Sequence, residues 1–258
     1  MEQPQNTRHG LIIEAPTGID YVAGVNSKLS GEVINPTGDW LPYVPTFEHQ
    51  APTFESNACA SFASLNAFEM LHKFIFGSEL NLSDRMLAKN SGTNPRQGNT
   101  PQKVAQAFRD DWSALQEDWP MDGVQTVDEF YKELPDLLYS KAKIVREDNE
   151  WGYEAITNPI KSKLHEALTK GAVCMSVALL IDENGLYYKP TGWRDGHYVT
   201  LLNIRPNGNY TILDSYPPYI KEVRADFVPE IAYRYALDEE LTDALTRLIR
   251  AIKSWLGI

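Results

Sequence analysis

"FESNACASFASLNAFEML", residues 54–71, sets one cysteine at the threshold of an apolar run, and the reading of that run decides the fold. Phe62, Leu65, Phe68, Leu71 and Ile75 recur at helical spacing, while Ala60, Ala63 and Ala67 fill the other sides until Gly77 stops the period. The pattern predicts a long, almost wholly buried helix that starts at Cys59. Free cysteines are among the most buried residue types, so Cys59 taken alone would be a packing residue. At a helix start it has a second use, because partial positive charge and free N–H groups there stabilise a thiolate.

A thiol nucleophile also needs a base, usually a histidine fixed by a third polar group. Of the five histidines, His9 lies in an N-terminal arm, His49 in a proline-rich segment, His72 on the Cys59 helix and His165 on a later helical repeat. His197 differs from these. In "DGHYVTLLNI" it follows a glycine turn at the start of a strand, and the next strand, "YTIL", ends at Asp214. Pairing of the two strands through the "RPNGN" turn brings Asp214 to His197, where a carboxylate can fix the ring tautomer. Asn203 and Asn209 are the alternative orienting groups.

Outward from this centre the chain divides in two. Residues 1–37 read as an extended arm, and "NPTGDWLPYVPTFEHQAPTF" as an ordered but irregular approach to Cys59. A short helix follows Ser83, another starts at Thr100 and Pro101, and a third lies in "TVDEFYKEL". In "NPIKSKLHEALTKG", Asn158 reads as a cap, Ile160, Leu164 and Leu168 as one apolar face, and Gly171 as the stop. Strands come after it: "AVCMSVALLI", with Cys174 expected in the core, then "HYVTLLNI", "YTIL", "YIKEV" and "IAYRYAL". Helices first and strands second is the order of an α+β protein. The tail, residues 238–258, reads as an amphipathic helix, packed on its own domain or docked on a protein partner or membrane surface.

The totals narrow the function. With 24 Lys plus Arg against 35 Asp plus Glu, the net charge of −11 repels nucleic acid and anionic lipid. Two cysteines give no disulfide framework, which suits a reducing compartment. The first residues lack the basic start and apolar region of a signal peptide, and no apolar stretch approaches the ~20 residues that span a bilayer. A cytoplasmic or virion-associated location is expected. No Cys-x-x-Cys, His-Glu-x-x-His, GxGxxG or phosphate-loop pattern occurs, so neither a metal nor a cofactor is expected.

In order and context these segments resemble the papain-like cysteine peptidases, and most closely the divergent members carried by bacteria and phages. "CASFASLNAFE" is similar to the family's Cys-Trp-Ala-Phe motif leading into the central helix, and the 138 residues from Cys59 to His197 match its spacing of about 130–150. "GDWLPYVPTFEHQ", "LSDRMLAKNSG", "RQGNTPQKVAQAF", "LTKGAVCMSVAL" and "ILDSYPPYI" look like further family segments, so the likeness runs over about residues 38–236.

The resemblance implies a two-subdomain α+β fold. A helical half (about 55–150) carries the long central helix, an antiparallel barrel-like half (about 158–237) faces it, and a cleft lies between them. Residues 1–37 become an arm or short prosegment, and 38–237 the catalytic domain. Cys59 is then the nucleophile and His197 its proton partner, with Asp214 standing where the family has an orienting Asn. The oxyanion-hole glutamine is expected six positions before the cysteine, where this chain has Thr53; Gln50 takes the role if the loop is three residues longer. Gly98 and Asn99 match the Gly-Gly beside extended substrate, and Tyr216 replaces a shielding tryptophan. The implied activity is cofactor-free peptide hydrolysis through an acyl-enzyme, with a polypeptide substrate. Its rivals are a peptidoglycan- or isopeptide-cleaving hydrolase and a catalytically inactive binding protein on the same fold.

Overall fold

Eighteen residues, Cys59–Phe76, form helix α1, and every residue from Cys59 to Leu71 is buried. Its apolar positions leave no solvent face over those turns, so the helix is stable only with partners on all sides. Gly77 closes it in the left-handed conformation (φ 70°), with its N–H on the Lys73 carbonyl, as the sequence predicts. The computed structural model describes residues 10–16, 21–23, 25–26, 29–147, 151–178 and 180–237. The tail helix expected over 238–258 lies outside the described residues.

On one side of α1 pack α2 (Asp84–Asn90) and α3 (Pro101–Asp111). Their starts are fixed by side-chain caps: Ser83 accepts from the Met86 N–H and Thr100 from the Lys103 N–H, each at 3.2 Å. The helix expected in "TVDEFYKEL" is shorter than the pattern suggests, α4 (Val127–Phe130), held by a reciprocal Thr126–Glu129 capping box. A fifth helix, α5 (Asp136–Glu147), was not legible, because exposed Leu137 and Ile144 blur its apolar stripe.

On the other side of α1 lies an eight-stranded sheet. Its strands are β1 (Trp151–Ala155), β2 (Ala172–Val177), β3 (Leu180–Ile181), β4 (Tyr187–Tyr188), β5 (His197–Ile204), β6 (Tyr210–Leu213), β7 (Ile220–Val223) and β8 (Ala232–Leu237). Their order is β1-β8-β2-β5-β6-β7-β4-β3, antiparallel throughout except for one parallel step between β4 and β7. The chain therefore has the mixed α+β architecture expected of it. Strand β1 was not anticipated: "WGYEA" is short and carries a charged residue, Glu154, whose burial is made possible by Arg234 of β8 at 2.6 Å.

Helix α6 (Lys161–Lys170) corrects one detail of the sequence reading. Asn158 is not its cap but a turn residue at φ 49°, and the helix begins three residues later. Leu164 and Leu168 are buried as expected, whereas Ile160, ahead of the helix, is 41% exposed.

The halves are joined chiefly through Ala63, whose carbonyl, midway along the buried part of α1, accepts from Thr200 Oγ1 of β5 (3.0 Å) and Cys174 Sγ of β2 (3.1 Å). Ser64 bonds the Tyr235 hydroxyl at 2.7 Å. Beside these, Phe68, Phe108, Trp112 and Trp151 pack ring to ring, with Phe108 and Trp151 centroids 4.5 Å apart. Trp40, fully buried, donates its indole N–H to the Leu168 carbonyl at 2.8 Å and packs against Phe74, tying the approach segment to both halves. Trp40→Ala is expected to destabilise the protein by about 3–5 kcal/mol. Urea unfolding would record this as a lower midpoint at unchanged slope.

Candidate active site

The start of α1 and the start of β5 meet at the centre of the molecule. The Cys59 sulfur receives the backbone N–H groups of Tyr198 and Ala60, so it lies against the main chain of the residue that follows His197. His197 is held from behind. Its β5 register places it opposite Val177, and the Gly196 N–H bonds the Val177 carbonyl at 3.1 Å. Asp195, buried, accepts from Ser176 Oγ (2.6 Å) and the Glu230 N–H (2.8 Å) and pairs with Lys189 (2.9 Å). The turn in "DGH" is therefore pinned to β2 and to the segments before β8 and after β4.

His197 Nε2 lies 2.8 Å from Asp214 Oδ1. The β5–β6 hairpin makes this contact, pairing Thr200 with Leu213 so that the residue after β6 reaches the start of β5. The second oxygen, Asp214 Oδ2, accepts from Lys221 Nζ at 2.7 Å. Burial would raise the Asp214 carboxyl, but the imidazole and the Lys221 ammonium outweigh it and hold the group down to about 2. Asn203 and Asn209 point elsewhere, to Asp39 and Glu222. The Tyr216 ring lies over His197 at a centroid distance of 5.3 Å.

Gln50 is buried and close to this group. Its backbone N–H bonds the Ser215 carbonyl (3.1 Å), its side-chain oxygen accepts from Ser215 Oγ (2.7 Å), and its amide nitrogen faces Glu55 and Tyr216. In the loop from Gln50 to Cys59 the Ser56 carbonyl is anchored by the Tyr131 hydroxyl at 2.6 Å.

Cys59 and His197 are both 0% exposed. Burial pushes the Cys59 thiol up, the Tyr198 N–H opposes that push, and the charges of Glu55 and Asp214 add to it. What lies beside them is the N-terminal arm. Asn99 donates its N–H to the Gly10 carbonyl (2.8 Å) and accepts from the Ile12 N–H (2.9 Å), while the Leu11 N–H reaches the Gly196 carbonyl (3.4 Å). The arm thus bridges the Gly98–Asn99 segment of the helical half and the residue before His197. Glycine is required at both contacts. At Gly98 (φ 84°) a Cβ would stand 1.7 Å from the Gly10 oxygen, and at Gly10 (φ 96°) one would stand 2.2 Å from the Asn57 oxygen.

Several residues of this site gave no clear sequence signal. Lys221 is one: a hairpin turn folds "YIKEV" back along β6, and the Asp214 N–H on the Tyr219 carbonyl (2.8 Å) sets that return. Tyr131 and the Gly10–Leu11 pair act through tertiary contacts alone, and Glu55 joins its local bond from the Asn57 N–H to a distant one from Tyr216.

Among the described residues no group of His, Cys, Asp and Glu could hold a metal ion, and no helix is long and apolar enough to cross a membrane.

The depressed Asp214 carboxyl makes a signed prediction. Because its folded value of about 2 lies below its ordinary 3.8, the stability it contributes is present above pH 4 and is lost as the pH falls through 2. The contribution is roughly 2 kcal/mol. Acid titration of unfolding free energy should show this limb in the parent and lack it in Asp214→Asn.

No protein-family model and no curated protein matches the sequence. Solved structures do. The procathepsin L2 proteinase from the larval midgut of Tenebrio molitor is similar with a TM-score of 0.64 at 15% identity, over 92% of this chain and 81% of that one. A recombinant stem bromelain precursor follows at 0.58 and 16% identity, over 78% of this chain and 70% of that one. The bromelain protease of Ananas comosus, in complex with the E64 inhibitor, gives 0.55 and 18% identity, over 77% and 97%. At these identities the likeness is one of fold: the chain has the papain-like fold.

Proposed function

We propose that this chain is a thiol-dependent peptidase in which Cys59, His197 and Asp214 act as nucleophile, proton partner and orienter. The observation that carries the reading is the His197–Asp214 hydrogen bond at 2.8 Å, set beside a sulfur that sits at the start of a buried helix. With Nε2 turned to Asp214, Nδ1 is the ring atom that exchanges a proton with sulfur. The sulfur adds to a peptide carbonyl, His197 passes the proton to the departing amine, and water activated by the same ring then releases the acyl group. Gln50, with a side-chain amide donor beside this group, is the candidate for the developing oxyanion, and Gly98 and Asn99 for main-chain pairing with a polypeptide.

The arm fits this reading as a built-in occupant of the substrate cleft. It pairs through its backbone with Asn99 and reaches Gly196, so residues 10–12 take the main-chain contacts an extended peptide would use. A buried, protonated thiol is the resting state that follows. The same burial is the one observation in favour of a second reading, an inert papain-fold binding protein whose cysteine is only packed.

Gly10→Val separates the two. A side chain at that position collides with the Asn57 backbone and displaces the arm. The peptidase reading expects faster alkylation of Cys59 by iodoacetamide at mildly acidic pH in this variant, with cleavage of a peptide library that Cys59→Ala or His197→Ala abolishes. A thiol that stays unreactive with the arm displaced decides for the binding protein.

A further inference from the structure

A glutamine amide nitrogen carries two hydrogens, and in Gln50 both are spent inside the protein. One goes to Glu55 Oε1 at 2.7 Å and the other to the Tyr216 hydroxyl at 2.7 Å. None is left for the oxygen of a substrate. The Glu55 carboxylate, meanwhile, collects three donors: the Gln50 amide, the Asn57 backbone N–H at 2.8 Å and the Tyr216 hydroxyl. Convergent amide, backbone and phenol donors next to a nucleophile are what a tetrahedral oxyanion needs, and here an anion from the chain's own loop fills them.

The arrangement is fixed from several sides. Ser215 Oγ on Gln50 Oε1 sets which way the amide faces. Asn57 holds a left-handed backbone (φ 56°), a conformation that a non-glycine residue adopts only at a cost, and the Gly10 backbone is packed against it. Around Glu55 stand His49 on the approach segment, Cys59 on α1, Tyr131 after α4, and Tyr216 between β6 and β7, with Asp214 and Lys221 behind Tyr216. A thiolate on Cys59 and an oxyanion beside it would both meet the Glu55 charge.

We propose that Glu55 is a resting occupant of the oxyanion donors, a positioning residue that must release the Gln50 amide before a tetrahedral intermediate forms. The inference rests on the peptidase reading. One Gln50 N–H turns from the Glu55 carboxylate to the substrate oxygen as negative charge develops there. As the Cys59 sulfur bonds the carbonyl carbon, the C=O electron pair moves onto the oxygen that this N–H then holds.

The test uses the full chain carrying Gly10→Val, with the small aldehyde N-acetylglycinal as probe. The aldehyde adds the sulfur to give a hemithioacetal whose oxygen draws on the same donors, and its affinity is read from the protection of Cys59 against iodoacetamide. Glu55→Gln should bind the aldehyde at least about tenfold more tightly at pH 7.5 and should lose that advantage entirely when Gln50→Ala is added. Tyr216→Phe, which frees the Gln50 N–H that the phenol oxygen accepts, should move affinity the same way by less and carries the test if Glu55→Gln does not fold. Equal affinities of the two proteins, or an advantage that survives Gln50→Ala, overturn the proposal while leaving the peptidase reading intact. A Cys59 that iodoacetamide leaves unmodified in every variant overturns both.

Discussion

The rest of the molecule depends on the seating of α1 in the sheet. A helix buried along thirteen consecutive residues has no surface on which to adjust, and the Ala63 carbonyl, hydrogen-bonded by Thr200 and Cys174 from two adjacent strands, fixes its axial position. Small side chains at Ala60, Ala63 and Ala67 allow that close approach, and larger ones would force the halves apart. Because Thr200 lies three residues beyond His197 on β5, and Ala63 four beyond Cys59 on α1, one set of contacts carries both chemical groups to the same place. The meeting of Cys59 and His197 is thus a by-product of core packing, and needs no dedicated scaffold of its own.

That coupling explains what could be read from sequence. Cys59, His197 and Asp214 each sit at the end of a strongly patterned element, and pattern is what a single sequence exposes: the apolar period of α1, the buried run of β5, the hairpin turn into β6. The caps at Ser83 and Thr100 were equally legible, because their chemistry is local. Strand β1 and α5 escaped because neither has a clean period. In β1 a buried Glu154 is matched by Arg234 some eighty residues away, and no local rule foresees such a pairing. Asn158 was misread because a cap and a left-handed turn residue share the same preference for asparagine.

The arm shows the same limit from another direction. Its glycines and prolines gave an extended segment and nothing more, whereas its course is set by backbone contacts with Asn99 and Gly196 that come from opposite halves. Further along, the Ala23 N–H bonds the Ala155 carbonyl (2.9 Å) and Arg234 reaches the Ser30 carbonyl (2.8 Å), so the described parts of the arm are strapped to the β1 edge of the sheet as well. These contacts are main-chain on at least one side, and main-chain recognition leaves little trace in residue identity. Only the positions where a Cβ cannot fit, Gly10 and Gly98, carry the constraint into the sequence.

Asp214 and Lys221 illustrate how one replacement entails another. An amide at the position of Asp214 would orient the imidazole without bringing charge into the core, whereas a carboxylate buried there is costly unless it is paired. Lys221, across the β6–β7 hairpin, supplies the counter-charge at 2.7 Å, and its ammonium lies over the Tyr187 and Tyr216 rings. The acid reaches His197 with its charge already offset, so geometrically it serves as an amide would. Removing Lys221 alone would leave the buried carboxylate with the imidazole, the Tyr216 N–H (3.2 Å) and the Tyr187 hydroxyl but without its ammonium counter-charge, so the stability of the His197–Asp214 contact depends on Lys221.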